Sequence, residues 1–181
     1  MTSSPSDTGK LLNLALESGM VDPKIIRVNK IVLGEWVRWK CRYGCPDYGL
    51  WLKCPPHSPT PTETRVLLGE YRRALLFHIK PESGYTGTHV VGNVYKALSD
   101  LERKIFLNGY RKALAFGGGE CDLCETCCVE SGACRNPQVA RPSMEACGID
   151  VFETARKAGY KLTILNNKDV PFMWIGMVLI D

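Results

Sequence analysis

A chain of 181 residues suffices for one domain with its own core, and 45% hydrophobic with 23% charged residues excludes a disordered or fibrous protein. A net charge of +4, spread over scattered basic residues, is too mild to mark a nucleic-acid surface. No stretch approaches the roughly 20 apolar residues of a membrane-spanning helix, and the polar N-terminus lacks the basic and apolar regions of a secretory signal.

Residues 1–9, rich in Ser, Thr, Pro and Asp, read as a disordered tail ahead of a single domain over 10–181. Leu11, Leu12, Leu14, Ala15 and Leu16 predict a short helix ending near Gly19, and Pro23 breaks the chain. From Lys24 to Lys40 apolar and polar residues roughly alternate, through Ile26, Val28, Ile31, Val32, Trp36, Val37 and Trp39, which predicts one or two strands. Gly44, Pro46, Gly49, Pro55 and Pro56 then make a loop that carries Cys41, Cys45 and Cys54. Thr60 as N-cap, Pro61 at the first helical position and Glu63 as capping-box partner start a helix expected over 61–68.

A strand is expected over 73–79, and a loop or lid over 80–91. Asn93 is placed as the cap of a longer helix, whose buried face is Val94, Leu98, Leu101 and Ile105 and which Asn108-Gly109 ends. A strand over 113–116 leads into Gly117-Gly118-Gly119. Asp150 and Glu153 open a helix ending at Gly159, a strand follows over 161–165, residues 166–169 turn, and the apolar stretch 171–180 reads as a final strand.

The order helix, Gly-containing cap, Tyr, basic residue, strand occurs at Gly69–Phe77, at Asn108–Phe116 and more loosely at Ala158–Leu165. Each copy is half of an α/β crossover unit. The fold class expected is therefore α/β, a small sheet with packed helices plus a cysteine-rich metal-binding subregion.

Nine cysteines in a chain without an export signal point to metal ligation in a reducing cytoplasm rather than to a disulfide framework, and the odd count agrees. Cys121, Cys124 and Cys127 form a C-x2-C-x2-C run, a spacing common among iron–sulfur sites. Cys128, Cys134 and Cys147 complete the downstream group. All nine are candidate cofactor residues. The side chains of adjacent Cys127 and Cys128 diverge, so Cys128 is left out of the metal set, and the other eight would serve one or two [4Fe–4S] clusters. Two pairings are open. In one, Cys54 joins Cys121, Cys124 and Cys127, while Cys41, Cys45, Cys134 and Cys147 share a second cluster. In the other, Cys41, Cys45 and Cys54 take Cys147, and the downstream loop closes its own cluster through Cys134.

Zinc is the alternative metal, with His57 or His89 as a further ligand, although only one compact knuckle-like run is present. Arg135 and Arg141 are candidates to offset cluster charge or to form surface ion pairs, and Glu145 reads as solvated helix surface. His78 is expected to pack in or edge a strand. Trp36, Trp39, Tyr43, Tyr48 and Trp51 are expected to shield a cluster from water.

With these residues in place, the chain resembles a cysteine-rich family of predicted metal-binding proteins, domain-of-unknown-function family 2284. The resemblance rests on Lys40-Cys41-x3-Cys45, on Cys54-Pro55-Pro56 with Ser58-Pro59-Thr60, on Cys121-x2-Cys124, and on Cys134 followed by Arg141-Pro142-Ser143-Met144-Glu145-Ala146-Cys147-Gly148-Ile149-Asp150. It implies a cytoplasmic metal protein of anaerobic archaea and bacteria, often in organisms that use corrinoid-dependent methyl transfer, such as methanogens. It supplies no activity.

The leading expectation is an iron–sulfur protein of electron transfer or redox sensing. The alternative is a redox- or oxygen-responsive subunit docked, through the apolar stretch 171–180, on a redox protein or a larger complex such as a corrinoid-dependent methyltransferase. A third possibility is an enzyme whose cluster has three thiolates and one open iron.

Overall fold

A computed structural model describes residues 5–79, 90–121, 123–162, 164 and 174–181. Its centre is one antiparallel sheet of β1 (Val21–Arg27), β2 (Arg73–Ile79), β3 (Leu114–Phe116) and β4 (Trp174–Leu179), in the order β1-β2-β4-β3. β4 pairs antiparallel with both of its neighbours, with Leu76 opposite Met177 and Ala115 opposite Val178. β2 and β3 therefore run parallel to each other on either side of it. The chain passes from one to the other by way of α4 (Val90–Leu107), which is the crossover that the repeat predicts.

Side chains alternate between the two faces of the sheet. Leu75, Phe77, Ala115 and Val178 face α4 and α1 (Pro5–Glu17), packing with Leu11, Ala15, Tyr95, Leu98, Leu101 and Ile105. Ala74, Leu76, Phe116, Met177 and Leu179 face the other way and pack with Leu68 of α3 (Pro61–Leu68), with Met144, Cys147 and Ile149, and with Ala155 of α5 (Val151–Lys157). Because both faces are covered, β2 and β4 are apolar at nearly every position instead of alternating. The fold is α/β, as expected, with Trp174–Leu179 supplying an interior strand. That burial removes this stretch as a docking segment.

Three expectations are met closely. Thr60 and Glu63 form the reciprocal capping box of α3, Arg73–Ile79 is β2, and the Asp150 side chain accepts from the Glu153 N–H at the start of α5. Others need correction. The tail expected over 1–9 is helical from Pro5, because Asp7 in the first turn is held by Arg73 at 2.6 Å and by the hydroxyl of Tyr110. The strand expected up to Lys40 stops at Arg27. A 3-10 turn (Val28–Lys30) follows, and then α2 (Glu35–Gly44) carries Trp36, Val37 and Trp39. Glu35, Arg38, Lys40 and Arg42 are good helix formers, and only Val37 of α2 is buried, so apolar alternation misreads a surface helix as a half-buried strand.

Asn93 does not cap α4, which starts at Val90. Lys161, Leu162 and Ile164 form no strand, and Ile164 is exposed. The third repeat instead contributes Tyr160, whose hydroxyl donates to Leu76 O at 3.0 Å. In the first repeat the Tyr71 hydroxyl donates to Lys112 O at 2.8 Å, so the shared Tyr is an anchor for the turn. Of the loop or lid expected over 80–91, Val90 and Val91 belong to α4, while residues 80–89, His89 among them, and the turn over 166–169 lie outside the described residues.

Candidate metal centre

The three upstream cysteines are held by elements that lock into one another. Cys41 lies in the last turn of α2, and Cys45 caps it, its N–H bonding Cys41 O at 3.2 Å. Arg38, one turn earlier, donates to Ser58 O (3.1 Å) and Pro59 O (2.6 Å), which pins the following loop to the helix. Ser58 in turn donates to Ala146 O at 2.8 Å, and Thr64 of α3 donates to Cys147 O at 2.9 Å. Gly148 has φ +79°, and a Cβ there would stand 2.4 Å from Pro61 Cγ, so only glycine lets the segment pass so close to α3. Segments 38–45, 54–60 and 141–150 meet at one place.

The segment 141–150 is fixed from the other side as well. Arg141 makes a two-pronged ion pair with Glu102 of α4 at 2.8 and 2.6 Å, and Glu102 also accepts from Ala115 N at 2.6 Å. Gly117 exchanges backbone bonds with Pro142 and Met144, both at 2.9 Å. Arg141 is therefore a strut between helix, sheet and loop. Arg135 donates to Thr126 O at 3.1 Å, within its own loop. Neither arginine is drawn to the thiols.

Where the three segments meet is a cavity of about 200 Å³, lined by Cys41, Cys45, Cys54, Gly119, Ser143 and Glu145 among others. Burial pushes the Cys54 thiol up to about 12 and raises that of Cys41, which Cys45 and Glu145 raise further. Glu145 is no solvated surface residue. The side chain is half-buried, and its Oε2 is sealed from solvent with no hydrogen-bond partner among the described residues. Loss of hydration raises its pKa, against the pull of its own backbone and of Lys53.

Cys147 does not line this cavity. Its side chain is fully buried in the apolar cluster with Met144, Ile149 and Met177, and burial pushes its thiol up to about 12. The downstream thiols form a second neighbourhood. Cys121 is buried and raised by that burial, with Cys127 and Cys134 as the thiols that act on it. Asn136 donates to Cys124 Sγ from its side chain at 3.1 Å and to Cys134 Sγ from its backbone at 3.4 Å. Leu52 N donates to Cys127 Sγ at 3.3 Å, whereas Cys128 accepts Ser131 through its carbonyl. Cys54 thus lines the cavity with Cys41 and Cys45, while Leu52, two residues before it, reaches Cys127. Among the described residues no three His, Cys, Asp or Glu side chains stand close enough to close on one metal ion.

Between the neighbourhoods lies Lys53, which composition and spacing do not single out. It is buried, it donates to the Tyr95 hydroxyl, and its Nζ lies 3.5 Å from the Tyr95 ring centre. Tyr95 passes the link to Gly118 O at 2.6 Å, and a Cβ on Gly117 would meet the Tyr95 ring at 2.7 Å. The Lys53 charge acts on Cys54, Cys121 and Glu145, and that of Arg38 acts on Cys41 and Cys147, so both cations are placed to offset thiolate charge. A lysine directly before Cys54 is the only sequence signal for it.

The aromatic residues do less shielding than expected. Tyr48 lines the cavity, but Trp36, Trp39 and Tyr43 are 50%, 61% and 71% exposed on α2. Trp36 and Tyr43 border a neighbouring apolar groove of about 630 Å³, with Phe152, that shares Cys41, Cys45 and Glu145 with the cavity. Trp51 donates to Asp47 at 3.0 Å, and His57 Nε2 lies 3.4 Å from Gly49 O. His78 packs edge-on against Tyr160, with burial lowering its pKa.

Thiols of two neighbourhoods on a small α/β scaffold, with a buried lysine between them, define a cysteine-based metal-binding protein. The chain belongs to the DUF2284 family, described as predicted metal-binding proteins, whose profile matches residues 24–180. No curated protein and no solved structure matches it. Among the described residues no helix is long and apolar enough to cross a membrane.

Proposed function

We propose that the chain is a cytoplasmic iron–sulfur protein that transfers electrons or senses redox state. Cys41, Cys45 and Cys54 hold one [4Fe–4S] cluster, and Cys121, Cys124, Cys127 and Cys134 hold a second. One observation carries the reading. Three thiols line a shared cavity of about 200 Å³, and among the described residues no three donors stand close enough to enclose a single ion. A structural zinc ion draws four ligands to roughly 2.0–2.3 Å and leaves no void, whereas a cluster spreads its ligands over several metal atoms. When bound, such a cluster supplies a one-electron couple. The chain contributes the thiols, the compensating charge of Lys53, and hydrogen bonds to sulfur from Leu52 and Asn136, which are levers on the potential.

Anaerobic purification with metal and acid-labile sulfide analysis tests this. Iron with matching sulfide, and a reversible paramagnetic signal on reduction, are expected. Zinc without sulfide would sink the reading.

The exposed aromatic face of α2 favours a second reading, that of a redox-responsive subunit. Trp36, Trp39 and Tyr43 stand on the helix that carries Cys41 and ends at Cys45, so a partner seated there would feel the state of the centre. The partner class is a redox protein or a larger anaerobic complex such as a corrinoid-dependent methyltransferase. Co-purification from anaerobic lysate that is equal for the wild type and for Trp36→Ala/Trp39→Ala/Tyr43→Ala counts against that face.

A further inference from the structure

We infer that Glu145, not Cys147, is the fourth side chain of the Cys41–Cys45–Cys54 centre, and that its carboxylate marks the one exchangeable metal position, open to a small donor ligand from the adjoining apolar groove. The inference rests on the iron–sulfur reading above and deepens it.

Three observations converge. Glu145 lines the cavity with the three thiols, and its Oε2 is buried without a partner among the described residues. A buried carboxyl oxygen left unpaired costs about 1–3 kcal/mol or more, so native folds keep such groups where something binds them. Ser143 lines the same cavity beside it. Secondly, Glu145 and Cys147 belong to one 3-10 turn, Glu145–Cys147. Residues two apart on such a turn point to different sides. Cys147 therefore enters the sheet core while Glu145 enters the cavity. Thirdly, the same carboxylate borders the groove lined by Trp36, Tyr43 and Phe152, so the position it holds is reached from an apolar side.

The chemistry of the donors sets the consequence. Thiolates are the soft ligands suited to a cluster, and a carboxylate is a hard one better suited to magnesium or calcium. Glu145 is the ligand that a stronger donor replaces. In that exchange the bond from iron to the carboxylate oxygen breaks as the bond to the incoming donor forms. No electron is gained or lost, and the carboxylate stays in the cavity as an anion.

The test uses the full-length chain, reconstituted anaerobically with iron and sulfide, and cyanide as the probe. The paramagnetic signal that Cys41→Ser removes identifies the upstream centre. Wild type should hold that signal and shift it on cyanide addition. Glu145→Cys should keep iron and sulfide, change the resting spectrum and lose the cyanide response. Glu145→Ala and the near-isosteric Glu145→Gln should also change the resting spectrum, and both should respond at lower cyanide than wild type. Resting spectra and cyanide titrations that superimpose on wild type in all three variants would overturn the assignment of Glu145 alone. So would loss of upstream iron in Cys147→Ser with all three Glu145 variants unchanged. Wild-type protein that takes up no iron and sulfide would overturn the iron–sulfur reading, and this inference with it.

Discussion

The two cysteine neighbourhoods are built in different ways. The upstream site is closed by bonds between distant parts of the chain: Ser58 to Ala146 across 88 positions, and Thr64 to Cys147 across 83. The downstream loop holds itself mostly by near neighbours, with Asn136 reaching Cys124 over 12 positions and Arg135 reaching Thr126 over 9. Its one long tie through sulfur is Leu52 N to Cys127, across 75 positions. Between Cys121 and Ala140 the described residues include no helix or strand. The folding of the sheet and its helices therefore sets the upstream geometry before any metal arrives. The downstream geometry rests mainly on the loop's own short-range bonds.

The largest test strikes the strut that serves both neighbourhoods. Glu102→Ala strands the Arg141 guanidinium at a site where both side chains are about five-sixths buried, at 16% and 15% exposure. It also takes the acceptor from Ala115 N. Breaking one partner of a buried pair costs about 3–5 kcal/mol, and the residual exposure puts this case at the lower end. A urea midpoint within experimental error of wild type would show that 141–150 is held by something else. Gly148→Ala should cost about 1–3 kcal/mol from backbone strain, because φ is +79° and the new Cβ meets Pro61. Its damage should be one-sided, with upstream iron falling and downstream iron kept. Equal loss at both sites would erase the distinction between them.

Asn136→Ala is the converse. It removes one side-chain bond to Cys124 and another to Leu123 O, worth about 1 kcal/mol each. Global unfolding should barely move, while amide exchange across 123–140 should rise in the metal-stripped protein. Faster exchange in α2 or α3 instead would mean that the downstream loop is part of the upstream frame.

The same contrast explains what could be read without coordinates. The helix at Pro61–Leu68, strand β2 and the Asp150 cap were legible because their signals are local: a capping box, an apolar run, a side chain bonding three residues on. The nine cysteines declared a metal site by residue type alone. Which thiols share a cavity was not legible, since Cys41, Cys54 and Glu145 are brought together by the crossing of three segments. Lys53 and Glu145 look like surface residues in sequence, because charged side chains usually are. Their burial comes from loops closing over them, which leaves no periodic trace. α2 was misread for a related reason. It carries exposed tryptophans on a helix with one buried residue, so hydrophobicity reports a surface and not a core.

The smallest effect belongs to α1, on the face of the sheet away from Cys147, and it separates local from global change. Asp7 lies well below its ordinary value of 3.8 because the Tyr110 hydroxyl and the Arg73 guanidinium both bind its charged form. A carboxylate with a depressed folded-state pKa stabilises above its unfolded value and loses that contribution as pH falls through the folded one. The stability from Asp7 is thus complete above about pH 4–5 and is given up below 3.8. Asp7→Asn should be less stable than wild type at neutral pH by up to about 1 kcal/mol, as for a partly exposed pair with Asp7 at 29% and Arg73 at 16%. The two thermal-melting curves should converge as the buffer is acidified. Because α1 packs chiefly on β1, β2 and α4 and makes no hydrogen bond or ion pair to a cysteine among the described residues, the substitution should leave the rate of thiol modification at both neighbourhoods unchanged at neutral pH. A faster rate upstream would show that the frame around Cys41, Cys45 and Cys54 extends through the sheet to α1. The upstream site would then be preorganised by the whole fold and not only by the three segments that meet at the cavity.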